Sequence, residues 1–155
     1  MPDLNYNFAS MDKFDSNRFP EALSDISSEL QAVKDRIADE LAISIPEVDD
    51  RLAHVTSAPG KMLRPALVLL SGDLTGDINS FHIDIAAIIE IIHIATLLHD
   101  DVIDQAKQRR GKPTPGYLWG NESAVRPGAF LLSKAFAMSS ETSDRRAFSV
   151  RAESC

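Results

Sequence analysis

The stretch FHIDIAAIIEIIHIATLLHDDVIDQA, residues 81–106, decides the fold of this chain. Drawn as a helix it is apolar on almost every side, and residues 83–98 are interrupted by Asp84, Glu90 and His93. A helix with apolar side chains all round is typically enclosed by other helices. The stretch therefore predicts one central helix with neighbours on every side.

Several other segments carry helical signals, and none shows an alternating β pattern of useful length. After Pro20, apolar residues spaced by three and four form one helical stripe: Leu23, Ile26, Leu30, Val33, Ile37 and Leu41. Shorter helices are predicted over 46–57, from Pro65 to a stop at Gly72 and Gly76, and in AFLLSKAFAM (129–138), whereas KPTPGYLWGN (112–121) predicts a turn-rich loop. The prediction is an all-α bundle around the central helix.

The domain organisation predicted from these patterns is simple. Residues 1–18 mix polar and aromatic residues without a period and are expected to be a flexible lead-in. Residues 19–138 carry the helical patterns and form the predicted domain, and residues 139–155 are expected to be a polar, aperiodic tail.

The composition of the chain argues against several classes of protein. The chain has 155 residues and a formal net charge of −7, so binding of nucleic acid over a broad surface is not expected. Cys155 is the only cysteine, which fits a reducing, cytoplasmic setting, and the N-terminus lacks the pattern of a secretory signal. The interrupted apolar run of residues 83–98 is shorter than the roughly 20 residues of a transmembrane span, so none is expected.

Three carboxylates stand at the end of the central helix. Asp100 and Asp104 are four residues apart and share a helix face, and Asp101 lies beside them. Their mutual repulsion and the helix dipole call for a compensating cation. Mg²⁺ suits them because it binds carboxylate oxygens and shares its remaining positions with substrate phosphates. The alternative is a solvated acidic helix end, which is about as common for such a motif alone.

Two pairs of basic residues favour a binding site for a phosphorylated substrate over a solvated acidic helix end. Arg109 and Arg110 follow the aspartates directly, and guanidinium groups bind phosphate oxygens in a bidentate manner. Lys61 and Arg64 stand at the start of another predicted helix, where their charges add to the positive helix end. Either pair alone is more often a surface feature. Together they predict two anion sites, one with a metal, beside apolar walls.

These motifs resemble those of the trans-isoprenyl diphosphate synthases, the polyprenyl synthetase family. GKMLRP (60–65) is similar to the family's first basic motif. HIATLLHDDVIDQAKQRRGKPT (93–114) is similar to its first aspartate-rich motif, with the arginine pair at the family spacing. The resemblance extends over residues 25–138.

The resemblance implies a role for each matching residue. Lys61, Arg64 and His93 would hold the headgroup of isopentenyl diphosphate, with Arg110 assisting. The residues implied at an allylic diphosphate are the Mg²⁺ ligands Asp100 and Asp104, the supporting Asp101, and Arg109. A lone histidine such as His93 is otherwise more often a core residue bonded to backbone. The implied reaction is Mg²⁺-dependent condensation of the two diphosphates.

The sequence also departs from the family pattern. Arg126, Pro127 and Ala129 stand where apolar residues and an aspartate are usual, and no second aspartate-rich motif occurs. We therefore expect a truncated bundle that is inactive as an isolated chain. Two functions stay open, a synthase in isoprenoid biosynthesis or a non-catalytic helical subunit that pairs with a full-length one. In either case a homo- or hetero-dimer is expected.

Overall fold

The computed structural model describes residues 23–42 and 61–142. In these ranges the helices are α1 (Ser27–Leu41), α2 (Leu63–Thr75), α3 (Ser80–Ile103), α4 (Pro115–Trp119) and α5 (Asn121–Glu141). Two-residue strands, β1 (Gln108–Arg109) and β2 (Lys112–Pro113), form an antiparallel hairpin between α3 and α4. The predicted all-α class is confirmed. The helix predicted over 46–57 lies outside the described residues.

Helix α3 is the centre of the bundle, as its apolar sequence predicts. It packs most extensively against α5 and also contacts α2 and α1. Its buried side chains include Ala87, Ile88, Ile91, Ala95 and Leu98. By length and composition alone this 24-residue helix could cross a membrane, but its contacts with three helices are those of a core helix.

The predicted apolar stripe of α1 faces this core. Ile26, Val33 and Leu41 are buried, and the intervening residues of the stripe pack against them. On the flank, Arg36 Nε donates to Asp84 Oδ1 of α3 at 2.9 Å, and Lys134 Nζ of α5 lies 3.1 Å from Glu40 Oε1. Ion pairs at half-exposed sites contribute little energy each, so burial of the stripe does most to hold α1 in place.

Gly72 does not end α2, contrary to the prediction. The helix continues to Thr75, and Gly76 follows as its C-cap. Gly72 is buried inside the helix because it faces the imidazole of His82: an added Cβ would lie 2.8 Å from His82 Cδ2. Gly72 therefore allows the two helices to pack closely. In the sequence alone, such a glycine carries the same signal as a helix end.

The segment after the hairpin is more helical than predicted. Thr114 caps α4 by accepting a hydrogen bond from Tyr117 N at 3.3 Å, so the predicted loop contains a short helix. The predicted helix at 129–138 begins earlier, at residue 121, and runs through Pro127 without a break. Proline in a helix interior costs about 3 kcal/mol. Here Pro127 is buried in α5, the helix that packs most extensively on α3. The energy gained from this packing offsets the cost of the proline.

Candidate functional site

At the C-terminus of α3 the chain turns back, and the segment with the two arginines follows this turn. Ala106 N donates to Asp101 O at 2.9 Å, and Gln105 N donates to Val102 O at 3.2 Å. Gln105 has a φ of 51°, so these bonds form a Schellman motif with a left-handed residue after the helix. The motif ends α3 at the aspartates and folds the following hairpin back towards them.

The hairpin places the two arginines next to each other at a tight turn. Arg109 pairs with Lys112 across the strands, and the two-residue loop is Arg110 and Gly111, with φ values of 51° and 77°. Positive φ at both loop positions matches the twist of the strands. Thr114 closes the base of the hairpin on the segment that follows α3, since its hydroxyl donates to Ala106 O and its N–H to Lys107 O.

Arg109 is held by Asp101. Arg109 Nε lies 2.8 and 2.9 Å from the two carboxylate oxygens, and its NH2 group lies 2.7 Å from Oδ1. Asp101 is 6% exposed, so the pair joins a buried carboxylate to a half-exposed guanidinium. The hydrogen bond to Asp101 raises the pKa of Arg109, and the charges of Asp100 and Asp104 act in the same direction.

Asp100 and Asp104 remain exposed on the outer face of the helix end. Asp101, the third aspartate of the predicted metal site, is engaged by Arg109, and the metal-binding role of the three aspartates stays a prediction. Within residues 23–42 and 61–142, no three acidic, histidine or cysteine side chains come together as a metal cage. Two carboxylates nevertheless fit Mg²⁺, which commonly takes one or two from the protein and its other oxygens from phosphates and water.

The predicted second anion site lies against a cavity between α2 and α3. The cavity has a volume of about 300 Å³ and is lined by Arg64, Ile89, Ile92, His93 and Thr96. Arg64 stands in the first turn of α2, as predicted, and Lys61 is exposed just before that helix. The structure thus brings Arg64 and His93 together at this cavity, whereas Lys61 is not among the residues that line it.

His93 sits in a positively charged environment. Burial lowers the pKa of its imidazole, and the guanidinium groups of Arg64 and Arg110 lower it further. Arg109 acts in the same direction, whereas Asp100 opposes it. The arginine from α2 and the two from the hairpin therefore act on one histidine, which connects the two predicted anion sites.

Glu90 is the site residue that sequence reasoning missed. In the sequence Glu90 appears only as an interruption of the apolar run, yet its side chain is 7% exposed and lies one turn before His93. Burial raises the pKa of its carboxyl, and Arg64 and Arg110 counteract that rise. A carboxylate inside an otherwise apolar helix, three residues from a histidine, was the signal available in the sequence.

We expect His93 to titrate below 6.5, its ordinary value, in the ligand-free chain. The folded pKa of His93 is lower than its unfolded pKa. Its contribution to the free energy of unfolding is therefore full above the unfolded pKa and is lost as the pH falls from there through the folded pKa. NMR titration of the imidazole and unfolding curves between pH 5 and about 8 measure both effects. His93→Gln should remove this pH dependence, and a His93 pKa at or above 6.5 would contradict the account.

Comparison with known proteins identifies the family. The sequence profile described as "Polyprenyl synthetase" matches residues 45–155. An all-trans-nonaprenyl-diphosphate synthase (geranyl-diphosphate specific) of Rhodobacter capsulatus is 38% identical over 117 residues, 75% of this chain and 36% of that protein. Heptaprenyl diphosphate synthase component 2 of Bacillus subtilis (strain 168) is 34% identical over 131 residues, 84% of this chain and 37% of that protein.

A solved structure supports the same assignment. The polyprenyl synthase from Caulobacter crescentus CB15, complexed with calcium and isoprenyl diphosphate, superposes with a TM-score of 0.78 at 32% identity. The match covers 85% of this chain and 40% of that one. This chain thus spans less than half the length of the relatives it matches. Its profile match, its helical fold and its paired acidic and basic motifs agree, and the chain belongs to the polyprenyl synthetase family.

Proposed function

We propose that this chain binds isopentenyl diphosphate and an allylic diphosphate side by side and takes part in trans-prenyl chain elongation. The observation that carries the proposal is that Arg64 and His93 line one cavity. The charges of Arg110 and Asp100 both act on His93, and Asp100 and Asp104 are exposed at the end of the same helix. The basic side chains and His93 suit a diphosphate that binds without a metal. Asp100 and Asp104 suit a diphosphate that binds together with a metal cation.

The first site would take isopentenyl diphosphate. Arg64 and Arg110 supply guanidinium donors, and the neutral imidazole of His93 supplies one further hydrogen bond to a phosphate oxygen. Ile89 and Ile92 line the same cavity and offer apolar contact to the five-carbon tail. Lys61 would approach the headgroup from the solvent side.

The second site would take the allylic diphosphate. Asp100 and Asp104 would hold Mg²⁺, which supplies charge stabilisation for the departing diphosphate when it is bound. Arg109 would orient that diphosphate, and Asp101 would keep the guanidinium in place. In the implied reaction the allylic carbon–oxygen bond breaks and that carbon bonds to the isopentenyl double bond. Loss of a proton then leaves a chain five carbons longer.

Replacing Arg64 by alanine should weaken isopentenyl diphosphate binding by roughly 10- to 100-fold, because charge-assisted hydrogen bonds contribute about 1.5–3 kcal/mol. Isothermal titration in the absence of Mg²⁺ measures the loss. Lys34→Ala, which removes an exposed cation of α1, is the matched control and should bind as the wild type does. Equal affinities of the Arg64→Ala and wild-type chains would refute the first site.

A second candidate function is that of a subunit that acts with another chain. It is favoured by the similarity to a protein named as component 2 of a heptaprenyl diphosphate synthase. Incorporation of labelled isopentenyl diphosphate, measured for this chain alone and mixed with a full-length synthase, separates the two. Stimulation of the mixture without binding of either diphosphate to this chain would favour the subunit and count against the binding proposal.

A further inference from the structure

Glu40 is a charged residue on the buried face of α1. Counted in steps of seven residues, it follows Ile26 and Val33, which are both buried in the core. Residues seven apart lie on nearly the same face of a helix, because two turns take about 7.2 residues. The Glu40 side chain is accordingly only 17% exposed. A carboxylate therefore occupies a position that the helix otherwise fills with an apolar side chain.

Cations from two helices hold this carboxylate. Glu40 Oε2 accepts a hydrogen bond from Arg36 Nη1 at 2.9 Å, and Glu40 Oε1 accepts one from Lys134 Nζ of α5 at 3.1 Å. Arg36 Nε in turn donates to Asp84 Oδ1 of α3 at 2.9 Å. The four side chains form a continuous ion-pair network that links α1 to both α3 and α5.

The stability of the bundle does not explain this network. Its members other than Glu40 are about one-third exposed, and ion pairs at such sites gain little net free energy. Replacing a partly buried ion pair by apolar side chains is often neutral or stabilising. A polar residue at one position of an otherwise apolar helix contact is, however, a known means of fixing the register between helices.

The seven-residue spacing gives α1 two alternative registers, and the network opposes both. In one of them Val33 takes the place of Glu40, so that an apolar side chain faces Lys134. The same shift brings Glu29 to the place of Arg36, where it faces Asp84 with a like charge. In the opposite shift Glu40 enters the buried place of Val33 without a cation, which is costly.

We propose that Glu40 fixes the axial register of α1, because its ion pairs with Arg36 and Lys134 hold the helix at one position along α3 and α5. The apolar stripe supplies most of the energy that binds α1, and the network selects one of the registers that the stripe allows. A leucine at position 40 would complete the apolar seven-residue series and remove this selection. The proposal is independent of diphosphate binding.

The test is a distance between spin labels on α1 and α5. Cysteines at the exposed positions Ser28 and Ser133 carry the labels, in the full chain with Cys155→Ser. Ser28 lies about three turns of α1 from Glu40, and Ser133 is next to Lys134, so the measured distance runs mainly along the axis of α1. A shift of seven residues moves the helix by about 10 Å.

Pulsed electron paramagnetic resonance should give one distance for the chain that retains Glu40. Glu40→Leu should add a second distance, displaced by roughly 8–10 Å, in about a tenth of the molecules or more. Lys134→Leu, which removes the cation from the α5 side, should add the same second distance. Asp39→Leu is the matched control, since it replaces an exposed carboxylate of α1 by the same side chain, and it should keep the single distance.

A single, unshifted distance in Glu40→Leu would overturn the proposal, even if the unfolding midpoint of the variant falls, because a loss of stability alone indicates an ordinary stabilising ion pair. If Glu40→Leu does not fold, the same result in Lys134→Leu overturns it. A second distance that is already present before either substitution would overturn it as well.

Discussion

Asp100→Ala should weaken binding of an allylic diphosphate about 100-fold in the presence of Mg²⁺ and hardly change it in the absence of the metal. Asp100 is exposed at the end of α3, and its partner on the same face is Asp104. Asp100 and Asp104 would hold the Mg²⁺ together, so the variant would lose one of the two carboxylates that hold it. Isothermal titration with and without the metal measures the difference.

The control for this prediction is Asp39→Ala, which removes an exposed carboxylate of α1 and keeps the same change in net charge. It should leave the Mg²⁺ effect intact. A loss of affinity in Asp100→Ala that is equal with and without Mg²⁺ would contradict the metal assignment. It would leave Asp100 as part of a solvated acidic helix end.

Gly128→Ala should lower the free energy of unfolding by about 1–3 kcal/mol, because overpacking a close helix contact costs that much. Gly128 is buried in α5, and an added Cβ would clash with His99 Nε2 and lie 2.8 Å from His99 Cδ2. Helix propensity alone predicts the opposite sign, since alanine is better than glycine in a helix interior by about 1 kcal/mol. Denaturant unfolding decides between the two signs.

The double variant His99→Ala with Gly128→Ala is the control for this contact. Removing the imidazole makes room for the new methyl group, so the second substitution should cost little or nothing in the His99→Ala background. Stabilisation by Gly128→Ala in the wild-type background would contradict the account, as would strictly additive losses in the double variant.

The elements that could be predicted from the sequence are those with a strong periodic signal. The apolar run of α3 predicts a central helix, and the stripe of α1 predicts a helix with one buried face; both are confirmed. Arg64 and His93 also line one cavity, although 29 positions separate them along the chain. Their convergence follows from packing α2 on α3, which the family resemblance implied and the residue pattern alone could not.

The features that could not be predicted depend on tertiary contacts. Gly72 carries the sequence signal of a helix end, but its missing side chain makes room for His82. Pro127 carries the signal of a helix break, and packing overrides it. Asp101 shares its motif with Asp100 and Asp104, yet the Schellman motif and the hairpin bring Arg109 onto it. Glu90 interrupts the apolar run in the sequence, and only the packing of the helices shows that its carboxyl is buried.

The coexistence of two diphosphate sites in one chain is the central claim, and ternary binding tests it most directly. The chain is first saturated with Mg²⁺ and an unreactive thiolo analogue of an allylic diphosphate, and isopentenyl diphosphate is then titrated by calorimetry. We predict that one equivalent binds with the affinity it has for the free chain and that the allylic analogue stays bound. Displacement of one ligand by the other would show a single shared anion site and would contradict the account.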